Sequence, residues 1–578
     1  MIPFFVLFFS IFPVFAPAEE QIVPYNYPVP YSLTLAMGKE GFRFLSRQLE
    51  LGLEQTGMRK EVVTALEDQV FLVLVPVLGG YARVIVDYGV TSNFPEKDGF
   101  RYDNVGVTVS TVPPYNLFPA ESGVLYPTLT LLSYSQGSSP EKLAELHVRI
   151  EYPLLPAPVS AIAYGKVESY GILRVSFEGG VLTGWIERFV TRILDFTVGF
   201  PNGDTGVVID FLGEALLNNF RPELETALNV VLRDGINTVL FDPNKDLVPD
   251  PVLNLPSLLK TFNETFGTDL EISLESRFLT SVTYPERAVF TVQASTFQKS
   301  PGGCMGPDGE RGFLYTLYDR DFAFGHDPPP FLFGPSPGRE SQLTILVSDD
   351  FLNEILYNGY RTGLSCQWIE PKDPRLPPSL RSLMTVQNLS LLGLPFLTDY
   401  VDGDAPFGIA FSLGSSPYVR LGEEGSHMVV SFPHFSGEFY AFQDGRWIRL
   451  FGLEGSIKLG VSFSSPTREG ELFQISFKTE VTTTVTFAGL FPGEKEAISN
   501  LLPTASTLLT EIVNGPMKDL QSSLSNCLPG LTVTGFTVLP VSQDPEKGYA
   551  HYLGLFLDFS GELDLARFLN ECLTLLKR

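Results

Sequence analysis

Four cysteines, five histidines, three tryptophans and a charged fraction of 18% leave this 578-residue chain short of the side chains that most often carry chemistry. The histidines, His147, His326, His427, His434 and His551, stand nowhere at metal-ligand spacing. No Gly-x-Ser-x-Gly elbow, no His-Glu-x-x-His and no Gly-x-x-x-x-Gly-Lys loop occurs, so acyl-transfer, metalloprotease and nucleoside-phosphate chemistry have no local signature. The sequence therefore nominates no catalytic residue, no metal ligand and no cofactor. A basic surplus is also missing. Net charge is −26, and residues 19–240 alone carry 16 Lys and Arg against 26 Asp and Glu, a balance of −10. Nucleic acid and strongly anionic membranes need concentrated positive charge, so both are disfavoured as partners.

The cysteines, Cys304, Cys366, Cys527 and Cys572, all lie in the second half. An exported chain with this even count permits up to two disulfides in three connectivities, and the expected pairs are Cys304 with Cys366 and Cys527 with Cys572. Buried free thiols are the alternative. Export itself is read from residues 1–18, MIPFFVLFFSIFPVFAPA, an apolar run ending in Ala16-Pro17-Ala18. That is the small-x-small pattern of a cleaved secretory signal, although a basic start is missing and an uncleaved anchor is the competing reading. No later stretch has the roughly 18 unbroken apolar residues of a spanning helix. The expectation is a secreted or periplasmic protein without a transmembrane anchor, monomeric as far as the sequence indicates.

Against these shortages stand 52 Gly, 45 Pro and 47 Phe in a chain that is 44% hydrophobic. So little charge beside so much Phe fits large β-sheets, and equally sheets that enclose apolar space. Two segments share one design: LTLAMGKEGFRFLSRQLELGL (33–53) and LTILVSDDFLNEILYNGYRTGL (343–364). Each runs from a Leu-Thr strand into an amphipathic helix with an early aromatic residue and closes on Gly-Leu. An offset of about 310 residues indicates duplication of a whole domain rather than a short-repeat solenoid. In the second copy Ser348 is placed to cap the helix, and Asp349 and Asp350 put negative charge at its start.

Around this repeat the order is alike in both halves. Strand patterns at 70–77, 81–90, 105–112, 125–133, 146–152 and 159–177 follow a helix over 39–56. Val105, Val107 and Val109, like Leu146, Val148 and Ile150, alternate as half-buried strands do. A helix over 221–240 closes the first half. Strand patterns at 270–279 and 288–297 and the proline run Pro328-Pro329-Pro330 separate it from the second. There, strands at 407–413, 427–432, 437–442, 446–451, 456–463 and 472–487 precede a helical region at 495–526. Two more strands, 531–539 and 551–559, lead to a terminal amphipathic helix. The fold class expected is α+β, each half an antiparallel sheet curled round helices. The expected divisions are 1–18, 19–240, 241–341 as linker and central sheet, and 342–578.

Apolar helical stripes supply the candidate ligand walls: Phe42, Leu45, Leu49, Leu224, Leu228 and Val231 in the first half, and Phe351, Ile355, Leu508 and Ile512 in the second. An ordinary core needs the same stripes. A pocket for acyl chains needs apolar walls and no catalytic group, since each buried methylene contributes roughly 0.8 kcal/mol.

The Pro-Pro-Pro-Phe run, the following strand, Ser348-Asp349-Asp350-Phe351-Leu352-Asn353 and the two-halved plan resemble the family of bactericidal/permeability-increasing, lipopolysaccharide-binding and phospholipid transfer proteins, within the tubular lipid-binding group. The resemblance covers nearly the whole mature chain in layout, with its specific residues concentrated in 270–363. It implies two pseudo-symmetric barrels of twisted antiparallel sheet round long helices, joined by a central sheet in a boomerang, with an apolar pocket for phospholipid in each half. Two departures matter: the first half has no Cys where those relatives carry a disulfide, and it is acidic where the antibacterial members are cationic. The terminal helix is similar to that of cholesteryl ester transfer protein. The function expected is lipid binding or transfer, with phospholipid or another acyl lipid as ligand and membrane surfaces or lipoprotein particles as transient partners. Recognition of bacterial envelope lipid, and a structural or adhesive role with self-filled barrels, are the alternatives.

Overall fold

The computed structural model describes residues 21–23, 29–55, 57–87, 99–119, 121, 124–134, 140–141, 143–178, 181–201, 206–242, 249, 253–254, 272–284, 287–298, 313–315, 334–335, 339–360, 366–373, 378–413, 416–464, 474–489, 491–501, 531–541 and 550–562. The leader, the proline run, Leu508, Ile512, the terminal helix and Cys304, Cys527 and Cys572 lie outside these residues, as does the side chain of Cys366.

The protein is α+β, and its strand pairs are antiparallel. One six-stranded sheet, termed the central sheet, takes in both repeat segments and has the order Ile272–Tyr284, Arg287–Gln298, Val29–Met37, Leu343–Ser348, Tyr552–Gly561, Leu531–Val541. The two strands of the sequence repeat are its inner pair. Leu35 lies opposite Ile345, its own equivalent in the repeat, so a pseudo-twofold passes between them, with Leu33 opposite Val347 and Met37 opposite Leu343. Each inner strand is flanked by a hairpin, the first by Ile272–Tyr284 with Arg287–Gln298 and the second by Tyr552–Gly561 with Leu531–Val541. The two repeat segments thus meet in this sheet, to which residues 29–37 and 552–561 both contribute.

The described strands between residues 70 and 199, with Leu253–Asn254 at one edge, form the first-half sheet, in which the strands Val159–Glu178 and Val181–Gly199 pair along almost their whole length. The second of these is not marked by periodicity. A register shift between Ile172 and Leu173 moves the inward positions from Ile186 to Phe189 and Ile193, and so breaks the alternation. In the second half the separate strands expected at 427–432 and 437–442 are one, Met428–Gln443, and those at 446–451 and 456–463 are one, Arg446–Ser464. The first irregularity falls between Phe432 and Phe435, at Pro433, whose missing amide can be left out of a ladder only at such a bulge. Among the described strands no sheet closes into a barrel.

Helix α1 (Lys39–Gln55) follows the first inner strand and α2 (Met58–Leu66) follows it. Helix α3 (Val207–Ala215) runs through a π-helical turn, Leu216–Phe220, into α4 (Arg221–Ile236), which ends in a second π-helical turn, Asn237–Phe241. The single helix expected at 221–240 is therefore the later part of a longer, twice-interrupted one. Helix α5 (Asp349–Gly359) follows the second inner strand, and the Ser348 hydroxyl accepts the Phe351 amide as its cap.

Candidate functional site

In the first half the six nominated residues meet. Phe42, Leu224 and Leu228 belong to one buried apolar cluster, and Leu45, Leu49 and Val231 pack against it from half-buried positions. Opposite them the sheet contributes Leu129, Leu131, Val148, Ile150, Ile186 and Ile193. Helix α1 is pinned to the sheet by Ser46, whose hydroxyl donates to the Phe42 carbonyl (2.7 Å) and accepts the Val109 amide (3.0 Å). On α4 the fully buried row is Leu224, Leu228, Leu232 and Ile236, with Ala227 and Val231 at its margin. A row spaced by four lies along a single ridge, which suits a helix laid lengthwise in a concave sheet.

One residue further round, α4 carries a second row at the same spacing: Arg221, Glu225, Asn229, Arg233 and Asn237. This row closes the sheet. On its outer side the strand Val181–Gly199 has a described strand partner only at residues 181–182, from Leu253–Asn254. Beyond that point helix side chains take the place of a neighbouring strand. The Ile193 amide donates to Glu225 Oε1 (2.8 Å), the Thr191 amide to Asn229 Oδ1, and the Ile186 amide to Asn237 Oδ1 (2.9 Å). Asn237 Nδ2 donates in return to the Ile186 carbonyl (2.9 Å), and Asn237 is itself buried. An open edge exposes unpaired amides, and here a helix supplies their acceptors. At the far end the Phe241 ring lies over Gly184, where an added Cβ would stand 2.7 Å from the ring. These polar residues were not singled out from the sequence. Their signal is the polar row one position behind the apolar one.

In the second half Phe351 and Ile355 are buried in a cluster with Leu352, Leu356, Phe439, Phe451 and Leu453. The cluster also takes in Phe177 of the first half and Val292 and Ala294 of the six-stranded sheet. Asn353 docks α5 on the strand Tyr418–Leu421, its Oδ1 accepting the Val419 amide (2.7 Å) and its Nδ2 donating to the Val419 carbonyl (3.3 Å). The Asp349 amide donates to the His551 carbonyl (3.0 Å), which ties the helix start to the central sheet.

Other polar groups have structural surroundings. His427 Nδ1 accepts the Phe463 amide (2.9 Å), and burial holds its pKa below the usual histidine value. Burial raises the Asp87 carboxyl, with Arg149 opposing the shift. Among the described residues no three His, Cys, Asp or Glu side chains are grouped to hold a metal, and no described helix is long and apolar enough to cross a membrane.

No protein-family model matches the chain, and no curated protein matches it. Among solved structures it is similar to a lipopolysaccharide binding protein, at 11% identity over 92% of this chain and 99% of that one, with a TM-score of 0.34. It is also similar to P47 of Clostridium botulinum E1, at 9% identity over 92% and 100% with a TM-score of 0.20, and to P47 from Clostridium botulinum A2, at 9% over 92% and 98% with a TM-score of 0.20.

Proposed function

We propose that this protein binds acyl lipids and carries them between surfaces, without covalent chemistry. The observation that supports the reading is the first-half interior: helices and one sheet face enclose an apolar cluster that holds Phe42, Leu224 and Leu228, with Leu45, Leu49 and Val231 packed against it. Strands of 20 and 19 residues flank it, far longer than the usual five or six. Phe42, Leu45, Leu49, Leu224, Leu228 and Val231 would line the chains there. Phe351 and Ile355, with Leu508 and Ile512, would do so in the second half. The ligand class is phospholipid or a similar acyl lipid. The two-lobed tubular layout, the four-part domain division, export through residues 1–18, the two disulfides and a monomeric state belong to the same proposal.

Mass spectrometry of an organic extract of the purified protein, with transfer of a fluorescent phospholipid between vesicles, tests it. Bound lipid with protein-dependent transfer is expected. An empty extract together with no transfer overturns it and leaves the interiors as self-filled cores.

A further inference from the structure

We propose that the seam between the strand Val181–Gly199 and helix α4 is the mouth through which a phospholipid passes, and that its lips hold the polar head while the chains lie in the first-half interior. The inference rests on the lipid-carrying reading above. It names the place and the residues that the reading leaves open.

The strength of closure is the first argument. The same strand is held on its inner side by a ladder running from residue 181 to residue 199. Among the described residues, its outer side from 183 onward is held by side-chain hydrogen bonds at three points, Ile186, Thr191 and Ile193. A boundary with fewer hydrogen bonds over the same length opens at lower free energy than a ladder does. At this boundary helix and strand therefore part more easily than the two long strands do.

Helix geometry supplies the second. Successive residues on a helix are turned by about 100°, so the row Leu224, Leu228, Leu232, Ile236 faces inward while Arg221, Glu225, Asn229, Arg233, Asn237 faces the strand edge. Opening the seam thus uncovers an apolar interior directly behind a polar rim, the pattern that an amphiphile with chain and head requires. Helix α4 is also bounded at both ends by π-helical turns, where the regular bonding pattern is interrupted and a helix can bend.

Charge supplies the third. Arg221 Nε donates to Glu225 Oε1 (3.1 Å) and Arg233 Nε donates to Asp234 Oδ1 (2.7 Å). Both guanidinium groups are partly exposed. Glu225 Oε1 is shared between Arg221 and the Ile193 amide; when the helix leaves the strand the amide contact breaks, and the Arg221–Glu225 pair moves with the helix to the uncovered rim. A lipid phosphate can then take the place of the carboxylate on Arg221 or Arg233, and guanidinium groups bind phosphate through paired N–H donors. No bond is made or broken in the step beyond exchange of hydrogen-bond and ion-pair partners.

The test uses the full chain and phosphatidylcholine vesicles carrying a self-quenched fluorescent phosphatidylcholine, whose dequenching reports uptake. The double variant Asn229→Leu, Asn237→Leu removes three seam hydrogen bonds and is expected to take up the probe roughly tenfold faster. The double variant Arg221→Gln, Arg233→Gln is expected to take it up several-fold more slowly by loss of the head contacts. Unchanged rates in both variants overturn the seam while leaving lipid carriage standing. If the unaltered protein takes up no probe at all, seam and carriage fall together. Amide hydrogen exchange on the unaltered protein decides the matter even where a variant does not fold. With vesicles present, Ile186, Thr191 and Ile193 are expected to exchange faster while the ladder to Val159–Glu178 is unaffected, and equal exchange with and without vesicles overturns the proposal.

Discussion

Helices α1 and α5 occupy equivalent positions after the two inner strands, yet their surroundings differ. On α1 one face is open to solvent: Arg43 pairs with Glu40 at 2.6 Å and Arg47 with Glu50 at 2.9 Å, all within the helix. On α5 every side chain from Phe351 to Asn358 is buried, and the polar residues Asp350, Glu354 and Asn358, spaced by four, are 1%, 2% and 0% exposed. The chain crosses over at the pseudo-twofold. Phe44 of α1 stacks on Phe559 of the strand beside the second inner strand, and α5 shares a cluster with Val292 and Ala294 of the strand beside the first. The two repeat segments thus share backbone pairing, which depends on main-chain groups common to all residues, while their side-chain burial differs.

The repeat aligns Gly41 with Phe351, and this pair should show the largest effects. Phe351→Ala empties a buried site in the second-half core and is expected to cost about 3–5 kcal/mol. Gly41→Ala should cost about 1–3 kcal/mol for the opposite reason, overpacking. Its Cβ would stand 2.0 Å from the Gln342 carbonyl oxygen, and backbone cannot step aside. Urea denaturation of each variant checks both. A Gly41→Ala protein as stable as the parent would show that α1 does not sit tightly against the start of the second inner strand.

Asn353 aligns with Arg43. Asn353→Ala strips two hydrogen bonds from buried Val419 backbone groups and should cost about 2 kcal/mol. Arg43→Ala removes an exposed ion pair and should lie within about 0.5 kcal/mol of the parent. Similar losses for the two would contradict the difference in burial. Ser348 aligns with Gly38, so the second helix has a side-chain cap where the first has none. Ser348→Ala should lower stability by about 1 kcal/mol in the same denaturation assay.

The smallest effect expected is in pH dependence, where the halves oppose each other. His427 has a folded pKa below its unfolded value of about 6.5, so the stability it contributes is complete above that pH. It is lost as pH falls from there through the folded pKa. Asp87 has a folded pKa above its unfolded value of about 3.9, so the cost of burying its charge is full at neutral pH and relieved as pH falls through that higher value. His427→Gln should flatten the melting temperature between pH 7 and pH 5, and Asp87→Asn should raise it at pH 7, both read by thermal denaturation.

Much of the fold was legible where the signal is local. The alternation of Val105, Val107 and Val109 put all three inside, as did that of Leu146, Val148 and Ile150. The cap at Ser348 formed where its hydroxyl precedes the helix. Legibility failed where a bulge shifted the pattern, as at Ile186 to Ile193, and where Pro433 made one strand look like two. Of the site, the apolar row of α4 could be read from its spacing. Its polar row looked like any solvated face, because the acceptor role of Glu225, Asn229 and Asn237 exists only against a strand some thirty to fifty residues earlier.

By itself, the sequence determined the repeat, the antiparallel α+β class and the apolar faces of the helices, since these follow from residue spacing and backbone preference. The tertiary structure alone decided that Leu35 faces Ile345, that α5 is enclosed while α1 is half open, and that a helix rather than a strand closes the first-half sheet. Each of these depends on which distant segments share an edge, and hydrophobic periodicity, which records only how one segment divides its faces, carries no information about that choice.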